Sequence, residues 1–276
     1  MIRFKAHLPM SLLALVLLAL IQGVTEFLPI SSSGHLALFP ILTGETDQGL
    51  LIDVSLHIGT LAAVMVYFRA ETGDALRGAG HLLIGRWGTA ESRLALLLAI
   101  ATIPVVIAGG ILSLLGLTQA MRTTEVIAWA SIVFGIALYL ADMRGAQVKT
   151  AKDWGWRDAV AMGLAQAVAL IPGTSRSGIT MTAARALGYT RVEAARLALL
   201  MSIPTIFASG ILATKDLVEA GDQSLGLDAA IGAGLSFVAA LLALSLMMRM
   251  LVTWSMTPFV IYRVALGVGL LIWIYV

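Results

Sequence analysis

Ile171-Pro172-Gly173-Thr174-Ser175-Arg176-Ser177-Gly178-Ile179-Thr180 lies deep inside a very apolar chain, yet it gathers five hydroxyl or guanidinium side chains, two glycines and a proline. Such a cluster is expensive in hydrocarbon unless its backbone lines a polar cavity. Pro172 and Gly173 break any helix arriving from residues 159–170, and a second helix begins from Gly178 onward. Ser175 or Ser177 then caps a helix N-terminus whose free N–H groups point at Arg176. That combination suits an anion, above all a phosphate.

The surrounding chain explains why this stretch stands out. Of its 276 residues, 59% are hydrophobic and 12% charged, where a soluble domain carries about 25% charged residues. The apolar excess, with mean hydropathy +0.94, runs the whole length. The runs are continuous rather than alternating, so a polytopic helical membrane protein is expected and a β-barrel is not. The net charge of +2 reports cytoplasmic loops, with no bearing on nucleic acid. With no cysteine, disulfides, thiolate chemistry and Cys-based metal sites are excluded. The start, Met1–Lys5 followed by apolar residues 8–21, resembles a signal peptide. No small-x-small cleavage site follows, and the run leads into Gln22 and Glu26, so it is read as part of the mature protein.

Residues 8–28 end too soon, at Pro29, for an ordinary span. Ile30-Ser31-Ser32-Ser33-Gly34 is a break, and 35–42 a short second helix, together a re-entrant hairpin. Spans follow at 51–68, 94–115 and 126–140. The segment 69–93 has four arginines and a histidine against three acids, and 144–157 carries Lys149 and Lys152; both belong in the cytoplasm. Residues 159–186 repeat the helix–break–helix pattern. Spans at 197–213, 229–248 and 258–275 bring the total to six, and the acidic loop 215–228 fits the outer side.

Ile21-Gln22-Gly23-Val24…Leu28-Pro29-Ile30-Ser31-Ser32-Ser33-Gly34 also parallels Ala165-Gln166-Ala167-Val168…Ile171-Pro172-Gly173-Thr174-Ser175-Arg176-Ser177-Gly178. Each hairpin precedes three spans, an odd number, so the two halves run oppositely through the bilayer. The expected fold is a single all-α membrane domain over 1–276: six transmembrane helices plus two re-entrant hairpins in an inverted repeat, 8–142 and 158–276. This topology puts Arg3 and Lys5 outside, against the positive-inside tendency of the loops.

Gln22 and Glu26, four apart, share one helix face. Gln22 serves an interhelical hydrogen bond or a substrate. Glu26 in an apolar hairpin costs about 2–4 kcal/mol or more unless partnered, which points to function. His35, beside Glu26 and three serines, is read as functional. Of Ser31, Ser32 and Ser33, one caps the short helix, one bonds backbone and at most one touches substrate. Arg176 at membrane depth needs an anion, and no acid lies in its own hairpin; Glu26 is the alternative partner. Ser175, Ser177 and Thr180 have weaker claims, because hydroxyls in membrane helices commonly bond backbone. Asp53, His57, Thr60, Arg185 and Arg263 form a second tier of supporting residues, and Arg263, inside the last span, needs a partner.

Gln22-Gly23-Val24-Thr25-Glu26-Phe27-Leu28-Pro29-Ile30-Ser31-Ser32-Ser33-Gly34-His35 and Pro172-Gly173-Thr174-Ser175-Arg176-Ser177-Gly178-Ile179-Thr180 resemble the two signature motifs of the bacterial undecaprenyl-diphosphate phosphatase (bacitracin resistance protein) family. Asp53…Leu56-His57-Ile58-Gly59-Thr60-Leu61-Ala62 and Tyr262-Arg263 match as well, and the resemblance covers nearly the whole chain. Gln22 departs from the Glu of many members, which weakens a two-carboxylate metal site. The resemblance implies a multi-pass hydrolase of the bacterial cytoplasmic (inner) membrane, its active site reached from the periplasm. Its reaction would turn undecaprenyl diphosphate into undecaprenyl phosphate, the carrier for peptidoglycan precursors.

On that footing Arg176 clamps the diphosphate, helped by Gln22, Ser33, Ser175, Ser177, Thr180 and helix N–H groups. Ser32 is the candidate nucleophile from its place in the family turn. His35 is its base or the leaving-group acid, and Glu26 orients His35 or positions water or a divalent ion. Direct activation of water by His35 or Glu26 is the competing route. Mg²⁺ or Ca²⁺ would be held mostly by substrate phosphates, with Glu26 as a thin protein ligand. The partners expected are the polyprenyl diphosphate lipid, the bilayer and, as an option, a second copy in a homodimer, with no nucleic acid. The rival reading is a lipid-carrier flippase or anion transporter built on the same inverted repeat.

Overall fold

In a computed structural model of the chain, residues 11–45, 47–220 and 226–276 are described. The signal-like start, with Arg3 and Lys5, and positions 221–225 of the acidic loop lie outside the described residues. The helices in order are α1 (Leu12–Thr25), α2 (Ser32–Thr43), α3 (Gly49–Tyr67), α4 (Arg69–Leu83), α5 (Ala90–Leu114), α6 (Leu117–Ala120) and α7 (Thr124–Arg144). After a 3-10 turn at Ala151–Asp153 come α8 (Trp156–Val168), α9 (Arg176–Ala186), α10 (Arg191–Ala220), α11 (Gly226–Thr253) and α12 (Thr257–Tyr275). β-Structure among the described residues is confined to an isolated bridge between Lys149 and Tyr189.

Six helices, α3, α5, α7, α10, α11 and α12, are long and apolar enough to cross a membrane. The chain is therefore an all-helical, multi-pass membrane protein. Side-chain caps set several starts: Thr89 Oγ1 accepts from Ser92 N and Thr123 Oγ1 from Val126 N, at 3.1 and 3.2 Å. Exposed Trp87 and Trp156 lie within the basic segments, where amphipathic rings settle at a membrane–water interface. Within the first of those segments the chain forms α4, which packs on α5. Gly78 makes the approach possible, since a Cβ there would lie 1.9 Å from Glu91 O.

Packing partners follow the two halves. Helix α1 packs on α11 and α8 on α5, while α3 pairs with α10 and α7 with α12. Exchanging the halves leaves these pairings in place. Small residues let backbones approach closely, as lipid-embedded helices require. A Cβ on Gly59 would fall 2.2 Å from Ala233 O across α3–α11, and one on Gly163 2.6 Å from Ala101 O across α8–α5.

Arg185, in the second tier of sequence candidates, is structural. Fully buried, it donates to Asp142 Oδ1 (2.9 Å) and to the carbonyls of Asp142, Gly145, Ala146 and Tyr189, closing the C-terminus of α7. Asp142 also accepts from Arg191 Nε and Met256 N. One buried carboxylate thus ties the ends of α7, α9, α10 and α12 together.

Candidate active site

Each half is interrupted between two short helices, at 26–31 and at 169–175. Ser31 and Ser175 cap the helices that follow, with φ of 75° and 69°, the two positive values outside glycine among the described residues. Ser31 Oγ accepts from Gly34 N at 3.4 Å and Ser175 Oγ from Gly178 N at 3.1 Å. The serine two positions on lies against each cap, Ser33 at 3.4 Å and Ser177 at 3.2 Å. Such backbone costs on the order of 1–3 kcal/mol per residue and persists where its surroundings dictate it, typically at functional sites.

Arg263 supplies much of that dictation. Its partners are carbonyls rather than an acid: Pro29 O (3.3 Å) in the first break, Gly173 O (3.1 Å) and Thr174 O (2.7 Å) in the second, and Ala130 O (3.4 Å) on α7. The side chain is fully buried. Ser177 Oγ adds a bond across the halves to Leu28 O at 2.8 Å. The backbones touch closely enough that a Cβ on Gly34 would sit 3.7 Å from Gly173 Cα. The two breaks therefore meet, as the paired motifs require.

Glu26 is the centre of what they bring together. Its Oε1 accepts from Arg176 Nη2 at 2.7 Å; its Oε2 accepts from Ser32 Oγ at 2.5 Å and from Gln22 Nε2 at 3.0 Å. The sequence left Arg176 to an anion or to Glu26, and in this structure it holds Glu26. Its Nη1 is buried with no hydrogen-bond partner, leaving N–H donors beyond those Glu26 takes. Glu26, Ser32, His57, Arg176, Thr205 and Ser209 line a cavity of ≈ 190 Å³. That exceeds by more than tenfold the ~15 Å³ one water needs.

The remaining candidates divide. Ser33 and Ser175 line the same cavity. Thr180 is satisfied by the carbonyls of Arg176 and Ser177, and Ser177 is turned to Leu28, so neither faces the cavity. Gln22 is fully buried behind Glu26. The expected contact of His35 with Glu26 and Ser32 is not found. Its Nδ1 donates to Ser31 O (2.7 Å) and its Nε2 accepts from Tyr262 Oη (2.6 Å), the two rings stacked 5.6 Å apart. The imidazole beside Glu26 is His57, whose Nε2 lies 3.8 Å from Glu26 Oε2. Thr205 and Ser209, on α10, went unremarked in the sequence because each also bonds a carbonyl of its own helix. Their i, i+4 spacing after Pro204 is the one signal that places them on a common face.

The donor set does not fit a resident divalent ion. Glu26 is the one carboxylate lining the cavity among the described residues, and both its oxygens already accept hydrogen bonds. No group of three or more His, Asp or Glu placed to hold a metal occurs among the described residues.

A paired carboxylate and guanidinium thus lie beside a hydroxyl at the junction of two broken helices. Comparison with known proteins identifies the family. A family model described as "Bacitracin resistance protein BacA" matches residues 15–269. A protein named undecaprenyl-diphosphatase from Ruegeria pomeroyi is 58% identical over 95% of this chain and 98% of its own length. One of the same name from Jannaschia sp. is 57% identical over 96% of this chain and 100% of its own length, and one from Maricaulis maris 48% identical over 95% and 99%. Matched nearly end to end, this chain belongs to the bacitracin resistance protein BacA family.

Proposed function

We propose that the chain is a membrane phosphatase that hydrolyses undecaprenyl diphosphate to undecaprenyl phosphate and inorganic phosphate. The observation that carries this reading is the Arg176–Glu26–Ser32 chain across the two breaks. A strongly anionic headgroup on a long apolar chain matches a polar cavity set among lipid-facing helices. Cleavage of a diphosphate needs charge neutralisation and an in-line nucleophile. Arg176 presents guanidinium N–H donors to the headgroup, with Ser33 and Ser175 at the cavity wall. Ser32 Oγ attacks the terminal phosphorus and gives its proton to Glu26 Oε2, 2.5 Å away. The bridging P–O bond breaks, and its electron pair leaves on the prenyl monophosphate. His35 acts at one remove, holding Ser31 O and so the turn that presents Ser32. The route in which water attacks directly stays as the competing mechanism.

A divalent cation belongs to this reading only as a companion of the substrate phosphates, and Mg²⁺ titrated into substrate-free protein should give no saturable heat. The site is complete within one chain, so the reading does not need a homodimer. The membrane is the cytoplasmic one and the cavity faces the periplasm. Supporting this, Val105 and Ser209 in its wall lie past the midpoints of α5 and α10, away from the basic segments. In this cysteine-free chain, Glu45→Cys should react with a membrane-impermeant maleimide from the periplasm and Arg77→Cys should not.

The decisive experiment is phosphate release from a short-chain prenyl diphosphate by purified protein in detergent, where no transport exists to be measured. Wild type should turn over, while Arg176→Ala, Arg176→Lys and Ser32→Ala fall by on the order of 10²-fold or more. Near-normal release by Arg176→Ala would remove the clamp. Substantial activity in Ser32→Ala would move the attack to water. No release by wild type would favour a lipid flippase or anion transporter.

A further inference from the structure

We infer that His57 is the base that activates water in the second half of the reaction, an inference that rests on the phosphatase reading and on Ser32 as nucleophile. Transfer to Ser32 leaves the proton on Glu26, whose other partners are Arg176 and Gln22. A protonated Glu26 is an acid, suited to returning that proton to Ser32. It cannot at the same moment take one from water. A second acceptor is needed, and it has to face the same cavity.

His57 meets that requirement. It lines the cavity with Ser32 and Arg176, its side chain 33% exposed. Its Nδ1 lies 2.7 Å from Asp53 O. A carbonyl only accepts, so Nδ1 carries the hydrogen and Nε2 presents its lone pair. Nε2 lies 3.8 Å from Glu26 Oε2, too far for a hydrogen bond. The Asp53 carboxylate does not compete, being held by Gln48 Nε2 at 2.8 Å. Thr60 Oγ1 bonds His57 O at 3.0 Å and fixes the helix behind the ring. His35 is excluded as the acceptor, because Ser31 and Tyr262 occupy both its nitrogens and it does not line the cavity.

The step balances without any further reactant. Water oxygen bonds to the phosphorus of phosphoseryl-32 while one water proton passes to His57 Nε2. The Oγ–P bond breaks, and Ser32 Oγ recovers its proton from Glu26. Inorganic phosphate leaves, and His57 gives up its proton through the open side of the cavity. Glu26 and His57 thereby divide the work, one base for each half-reaction.

The test follows the terminal phosphorus. Prenyl diphosphate labelled there with radioactive phosphate is mixed with wild type, His57→Gln and His57→Asn in detergent. Both variants should release about one equivalent of prenyl monophosphate in a burst and retain label on Ser32. Steady turnover should fall by on the order of 10²–10⁴-fold, and added imidazole should raise it in His57→Ala. Near-wild-type turnover in both variants would overturn the assignment. So would slow turnover without label on Ser32, which would place His57 before transfer or in a structural role. Absence of turnover in wild type would instead sink the phosphatase reading itself.

Discussion

A carboxylate and a guanidinium 2.7 Å apart, with 6% and 14% of their side chains exposed, stabilise each other only while both are charged and present. Removing one leaves its partner as an uncompensated charge, a loss of about 3–5 kcal/mol for buried pairs. Arg176→Ala should therefore lower the thermal stability of the detergent-solubilised protein as well as its activity. Glu26→Gln restores neutrality, so the double variant Glu26→Gln/Arg176→Ala should be more stable than Arg176→Ala alone while just as inactive. Melting temperatures of wild type, both single variants and the double close this cycle. Additive losses would mean that the pair contributes nothing as a pair. Both residues were readable in the sequence, because a charge amid apolar residues is conspicuous. Which imidazole stood beside them was not. His35 is near Glu26 along the chain, but its ring is carried to Tyr262; His57 comes in from α3, which packs closely on α11 where Gly59 meets Ala233.

The two breaks are held by elements distant in sequence, and Arg263 does most of the holding. Truncating it leaves the carbonyls of Pro29, Ala130, Gly173 and Thr174 without their shared donor. Each unsatisfied buried polar group costs roughly 1–3 kcal/mol. Arg263→Ala is thus expected to unfold at a markedly lower temperature and lose activity, though the side chain lines no part of the cavity. Gly178→Ala should act through the same guanidinium, since its Cβ would come 2.7 Å from Arg263 Nη1. Unchanged melting in Arg263→Ala would show that the breaks hold without it. The caps permit a finer comparison. Ser31→Ala keeps the positive φ and loses the bond to Gly34 N, whereas Ser31→Gly loses the bond but accepts the backbone freely. The alanine variant should be destabilised by about 1 kcal/mol more than the glycine variant, read from unfolding midpoints. The repeat of the two motifs disclosed this arrangement in outline. That an arginine from the final helix joins them was beyond it, because the donor and its carbonyls are 89 to 234 residues apart.

At the scale of the whole molecule, neither half holds a complete site. The first contributes Glu26, Ser32 and His57, the second Arg176, Thr205 and Ser209. Alternation of polar breaks with apolar spans marked out the spans in the sequence, and the helices bear out the six of them. Helix α4 was less visible, since a charged segment reads as a loop until its packing on α5 is known. Interdependence of the halves within a single chain has a consequence for mixtures. Full-length Ser32→Ala and full-length Arg176→Ala each spoil one half, so a chain of one kind always lacks one group. Glu26 and Arg176 bond within one chain, and Arg263 and Ser177 lock the breaks together there. Co-expression or mixing in detergent should therefore restore no phosphate release. Recovery toward a quarter or more of wild-type turnover would require two copies to exchange the segments that carry their breaks. The cavity would then be assembled between chains, and the locks formed by Arg263 and Ser177 would have to open for it.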